Sequence, residues 1–245
     1  MNFPIGPIIN SSAVLLGGLI GGLFGKYIPK RVSTALSLIF GACSMSMGIS
    51  YIVKVNTLPV VILSVIVGTA IGELIYLESG VSKGVGKVKG LLGNIAKPRG
   101  EMTDAEWMER FIAIVVLFCV SGTGIFGALQ GGMTGDHTIL ITKSILDLFT
   151  AATFAASLGS MVAVIFIPQF IIQLALFYGA AGILPITDDL MRADFTACGG
   201  VLMLATGFRI SGIKSFPIAN MIPAMLLVMP VSWLWVQYII PLLVH

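Results

Sequence analysis

Lys143 and Asp147 stand four residues apart in the apolar run TILITKSILDLFTAATFAASL, so on a helix they share one face about one turn apart. A charge at the bilayer centre costs at least about 2.5–3.5 kcal/mol on insertion scales, so ionisable residues inside spans need partners and are natural functional candidates. Opposite signs on one face lower that joint cost as an internal pair. Read structurally, the pair fixes helix packing. Read functionally, Asp147 couples to protons or cations and Lys143 sets its charge. Glu73, in GTAIGELIYLE, lies about one turn from the end of its apolar stretch and either snorkels to water or faces the bundle as a second carboxylate.

Two polar segments offer neutral ligands: Asn10-Ser11-Ser12, and Ser121-Gly122-Thr123-Gly124. Gly with Ser or Thr can unwind a spanning helix and turn carbonyls and hydroxyls inward, which makes Asn10, Ser12, Ser121 and Thr123 candidate ligands. The competing reading is close helix packing, because Gly17, Gly21 and Gly25, Gly68 and Gly72, and Gly127 and Gly131 make small-xxx-small faces. Such faces also make a homo-oligomer plausible. Gln130, Gln169, Gln173 and Asn220 read as interhelical hydrogen-bond partners before ligands, Asp188 and Asp189 as a solvated turn, and Arg209 and Lys214 as interfacial anchors. Neither a GxxxxGK[ST] loop nor HExxH occurs, and Ser144 follows Lys143 directly, where helix neighbours do not face each other. An enzyme is not expected. His137 and His245 are isolated, and Cys43, Cys119 and Cys198 lie scattered in apolar runs as buried packing residues, so no metal site, cofactor or disulfide is expected.

The elements that must hold these residues follow from composition. Of 245 residues, 57% are hydrophobic and 10% charged, with a mean hydropathy of +1.02. So few charges cannot cover a soluble domain, which carries about 25%. A soluble enzyme, a nucleic-acid binder and a disordered chain are excluded, and the partner is the lipid bilayer. Eight apolar stretches are expected as helices: 5–25, 33–53, 59–78, 111–131, 139–157, 160–182, 196–208 and 218–243. The seventh is short, bracketed by Asp194 and Arg209, and either snorkels at its ends or re-enters. The fold class is therefore all-α, a polytopic helical bundle. MNFPIGPIINSS has no basic n-region, so it is read as leading into a span and not as a cleavable signal.

Lys26, Lys30, Arg31, Lys83, Lys87, Lys89, Lys97, Arg99, Arg110, Arg209 and Lys214 fall in alternate loops, eleven of the fourteen basic residues, which makes those loops cytoplasmic. Both termini are then outside, unless 196–208 re-enters and moves the C-terminus. Tyr27, Tyr76 and Trp107 mark the inner interface, and Tyr51, Tyr178 and Tyr238 the outer one. The loop 79–110 is basic and begins VSKGVGKVKGLLGN, either a weak helix on the anionic leaflet or a linker. Thr103-Asp104-Ala105-Glu106 fits a capping box that starts a helix into the fourth span.

Sliding the chain by 109 residues lays Ser12 on Ser121, Gly18 on Gly127, Gly22 on Gly131, Phe40 on Phe149 and Pro59 on Pro168. The single membrane domain 1–245 then divides into a three-span unit 5–78, the cytoplasmic loop 79–110, an inverted three-span unit 111–182 and a span pair 183–245. Inverted repeats recur in secondary transporters.

Three runs, GPIINSSAVLLGG, CVSGTGIFGALQGGMTGD and LATGFRISGIKSFPIANMIPA, resemble those of a bacterial family catalogued as a domain of unknown function. The resemblance implies an integral inner-membrane protein of a bacterium and implies no chemistry. The residues themselves point to a secondary transporter of a small solute or ion at mid-membrane, with an oligomeric channel, or a scaffold acting through loop 79–110, as alternatives.

Overall fold

The computed structural model describes residues 3–27, 29–92, 103–182, 185 and 187–243, and every regular element among them is helical. Lipid offers no partner to backbone N–H and C=O groups, and a helix satisfies them within one segment. The elements are α1 (Ile5–Phe24), α2 (Lys30–Ile52), α3 (Leu58–Leu74), α4 (Leu77–Leu92), α5 (Asp104–Cys119), α6 (Gly122–Thr134) and α7 (Thr138–Leu158), then a 3-10 segment (Ser160–Ile165) leading into α8 (Phe166–Ala181). They continue as α9 (Asp189–Ile210), α10 (Ile218–Met221), α11 (Pro223–Leu234) and, after a π turn, α12 (Ile240–Leu243). Six helical runs are long and apolar enough to cross a bilayer, or seven if the bent α3–α4 pair is one. Large apolar side chains face outward, with Leu23, Leu74 and Leu226 all more than 60% exposed, as lipid-facing helices require.

The expected stretch 196–208 needs correction. It lies inside α9, an unbroken helix of 22 residues, about 33 Å long. Asp188 caps its N-terminus by accepting from Met191 N at 2.7 Å, and Asp189, Arg192 and Asp194 lie in its first turns. Those charges hid the true length. The expected third span ends early, at Leu74, and the chain turns by 54° through Tyr76 (φ 53) into α4. The first half of loop 79–110 is thus a helix. Lys97 and Arg99 lie outside the described residues. α5 begins at Asp104, where the capping box places it.

Glycines set which helices touch. Gly17 meets Leu148 and Ala151, Gly21 meets Ala152, and Gly25 meets Ala156, so α1 and α7 lie side by side in the same sense. A Cβ at Gly21 would fall far inside contact distance of Ala152 O. Gly41 against Gly207 and Gly48 against Gly200 make α2 and α9 antiparallel, and Gly68 against Ala224 with Gly72 against Asn220 does the same for α3 and α10–α11. Without a hydrophobic force between helices in lipid, this close van der Waals approach carries association. The small-residue faces read as oligomer contacts at Gly17 to Gly25 and at Gly68 to Gly72 are therefore used within one chain, which removes the observation that motivated a homo-oligomer.

Two apolar cores form. One joins α3, α6, α9 and α11 through Val60, Phe126, Phe195, Leu202 and Met225. The other joins α1, α5, α7 and the 3-10 segment through Val14, Phe111, Phe118, Ala155 and Val162. Trp107 belongs to the second core and not to an interfacial belt: it is buried, stacks on Phe111 at 5.0 Å and donates Nε1–H to Leu158 O at 3.0 Å. Cys43 is exposed on α2, unlike the buried Cys119 and Cys198, and all three are free thiols.

Candidate functional site

Asp147 is the tenth of the 21 residues of α7, and Lys143 precedes it by one turn. Both are buried, and Lys143 Nζ is ion-paired with Asp147 Oδ2. Side chains of two further helices complete the cluster. Asn10 Nδ2 from α1 donates to Asp147 Oδ2 at 2.7 Å, and Gln169 Nε2 from α8 donates to the same oxygen at 3.2 Å. Gln169 and Gln173 each donate to Asn10 Oδ1 at 2.6 Å. Asp147 Oδ2 thus takes three donors, while the Oε1 atoms of Gln169 and Gln173 are buried without a partner among the described residues. Lys143 Nζ also lies 5.7 Å from the Phe118 ring centroid.

The fourth span is interrupted beside this cluster. α5 ends at Cys119 and α6 starts at Gly122, with Ser121 as N-cap accepting from Gly124 N at 3.0 Å. Gly122 N donates to Thr206 Oγ1 of α9 at 3.2 Å. A Cβ on Gly124 would meet Ser121 Oγ, Lys143 Cε and Gln173 Nε2, so glycine here lets the new helix start against the charge pair. Ser121 and Thr123, both buried, line a chamber of about 20 Å³ with Lys143, Asp147, Thr150 and Thr206. That volume is about one water.

A larger cavity, about 320 Å³, adjoins it, lined by Ser37, Arg110, Thr150, Phe154, Ser157 and Arg209 among others. Leu117, Thr150 and Ile210 line both spaces, so the two adjoin across these side chains. It lies towards Arg110 and Arg209, at the end of the bundle where the chain carries most of its basic residues. Towards the other end of α7, His137 stacks on Phe177 at 5.7 Å, and Gly6 packs against Leu140 and His137.

Of the sequence candidates, the structure brings Lys143, Asp147, Asn10, Ser121 and Thr123 together. Two do not belong. Ser12 is exposed, because α1 is continuous through Asn10–Ser12 and turns its buried side to Asn10 and Ser11. Ser12 is two residues, about 200°, round from Asn10. The matching break expected in the first span is therefore absent. Glu73 is exposed near the end of α3. The neighbouring carboxylate is the engaged one: Glu78 Oε1 accepts from Arg209 Nη1 at 2.8 Å, and Glu78 N donates to Asn220 Oδ1 at 2.7 Å, so neither Glu78 nor Arg209 is merely solvated.

A second buried carboxylate was missed. Asp194, fully buried, accepts from Asn56 N at 3.0 Å, Thr57 N at 2.6 Å and Ser232 Oγ at 2.7 Å. Thr57 is the N-cap of α3 and its own side chain makes no cap bond, so Asp194 of α9 caps α3 from across the bundle. The helix N-terminus supplies the compensating partial positive charge. The available signal was its register with buried Met191, Cys198 and Leu202 along one helical stripe.

The comparisons with known proteins come from sequence. Residues 5–233 match the family described as "Protein of unknown function (DUF554)". The chain is 50% identical over 234 residues to the "Uncharacterized protein YqgA" of Escherichia coli (strain K12), covering 96% of this chain and 98% of that one. It is 29% identical over 227 residues to the "Uncharacterized membrane protein YdfK" of Bacillus subtilis (strain 168), covering 91% and 93%. No solved structure matches.

Proposed function

The chain belongs to the DUF554 family of proteins of unknown function, and we propose that it is a carrier of a small solute or ion with its site at mid-membrane. The observation that carries this reading is a pair of adjoining cavities, one lined by Arg110 and Arg209 and the other by a buried charge pair beside a helix break, with Leu117, Thr150 and Ile210 in the walls of both. Interrupted helices facing a mid-membrane site are a recurrent transporter device. On the charge rule the basic end is cytoplasmic and the cavity beside it faces inward, and the family resemblance implies the bacterial inner membrane. The shared sense of α1 and α7 and the opposed senses of α2 and α9 accord with alternating passes, in which units 5–78 and 111–182 are inverted. A carrier is favoured over an enzyme, since Ser144 Oγ is engaged with Leu140 O.

Uptake into vesicles containing the purified protein tests this, with a Thr150→Cys variant exposed to an impermeant thiol reagent from each side. Thr150 lines both spaces, so modification from the basic side alone, with loss of uptake, is expected. No modification from either side, together with unchanged uptake by Asp147→Asn, overturns it. One observation favours a second reading: Asp147 Oδ2 is saturated by groups of α1, α7 and α8, as a structural clamp would be. A scaffold of that kind would move no solute and would depend on segment 79–110.

A further inference from the structure

We infer that the solute is a small anion; this rests on the carrier reading above and names its substrate class. The described residues lining the larger cavity include two guanidinium groups, Arg110 and Arg209, and no carboxylate. Arg209 is half-buried and held in place by its bond to Glu78, which does not itself line the cavity. A low-dielectric funnel of one sign concentrates ions of the other.

At the funnel's end the chamber holds Lys143 and Asp147, and the two are not equivalent. Asp147 is already met by Lys143, Asn10 and Gln169 on one oxygen. Lys143 carries three N–H groups and has one acceptor among the described residues, Asp147 Oδ2. The ammonium therefore keeps donors for an incoming acceptor, whereas an incoming cation meets a resident cation beside a carboxylate whose Oδ2 already takes three donors. The first turn of α6 begins beside the same chamber at Ser121 and Thr123, and the positive end of its helix dipole adds to the positive side. The Gln169 and Gln173 amides line neither cavity and lie behind Asp147, so their oxygens do not supply a cation cradle in the chamber. A chamber of about 20 Å³, about the room one water takes, fits a monatomic anion.

The test loads the protein into vesicles and measures uptake of chloride, nitrate and formate against sodium and ammonium, each at matched osmolarity. Saturable uptake of at least one anion and of neither cation is expected. Arg110 is exposed at the cavity mouth, so Arg110→Glu should fold and should raise the half-saturating anion concentration about tenfold, the lower end of electrostatic focusing. Saturable uptake of sodium or ammonium without any anion overturns the anion assignment and leaves the carrier standing. Anion uptake that Arg110→Glu leaves unchanged also overturns it, because the funnel then plays no part. Movement of none of the five ions removes the assignment together with the carrier reading it rests on.

Discussion

Replacing Asp147 by Asn while leaving Lys143 in place strands an ammonium whose side chain is 5% exposed. At an effective dielectric of 20, two unit charges about 4 Å apart attract by about 4 kcal/mol, and that attraction is lost. The amide keeps one carbonyl oxygen to share among Lys143, Asn10 and Gln169, three donors that now serve Oδ2 together. Breaking one partner of a buried pair typically costs about 3–5 kcal/mol. For a chain of this size each kcal/mol moves the midpoint by about 2–4 °C, so the variant should melt about 6–20 °C below the parent. Lys143→Met should cost a similar amount, leaving the carboxylate unpaired. The double variant Lys143→Met with Asp147→Leu should recover most of the loss, since an apolar isostere of a buried pair is often neutral or stabilising. The assay is thermal unfolding in one detergent for all four proteins. If both single variants melt within about 1 °C of the parent, the pair is hydrated in the folded protein, and the desolvated charge pair is refuted. If the double variant falls by the sum of the singles, the two charges are not coupled.

Gly21→Leu should prevent folding or cost about 3 kcal/mol or more, because its Cβ lands on Ala152 backbone; yield of monodisperse protein after extraction checks it. Asp194→Ala should destabilise by about 2–3 kcal/mol by uncapping Asn56 N and Thr57 N, while Glu73→Gln, exposed, should stay within about 0.5 kcal/mol, both read by thermal midpoint. Ser121→Ala should cost about 1 kcal/mol through its lost cap, and Ser12→Ala about nothing, which separates the two positions that the 109-residue offset equates.

What was legible in the sequence was whatever depended on period and chemistry together. Lys143 and Asp147 share a face at four residues' spacing, and Ser121-Gly-Thr-Gly combines a capping hydroxyl with two glycines, so pair and break were both readable. Ser12 shows the limit: an unbroken helix rotates 100° per residue, and a polar triplet cannot show which member faces inward. Ser12 and Ser11 therefore exchanged places. Asp194 was hidden by neighbours, because Asp188, Asp189 and Arg192 resemble a solvated loop until α9 is seen to begin among them. Its partners are backbone N–H groups of α3, and contacts across 137 residues leave no local trace. Cavities are equally invisible, since they arise from what several helices leave unfilled. That is why Arg209 read as an anchor and Arg110 as one basic residue of a cytoplasmic loop.

The glycine seams also decide how the molecule can deform. Helices whose backbones touch cannot slide or roll without collision, so α1 with α7 and α2 with α9 are each a stiff doublet. The funnel is bounded by Ser37 of α2 and Ile210 of α9 on one flank and by Thr150, Phe154 and Ser157 of α7 on the other, so it is the joint between the two doublets. Any rocking of one doublet on the other would hinge along this joint. Asn10 and Asp147, riding on the same doublet, would keep their bond through the whole swing.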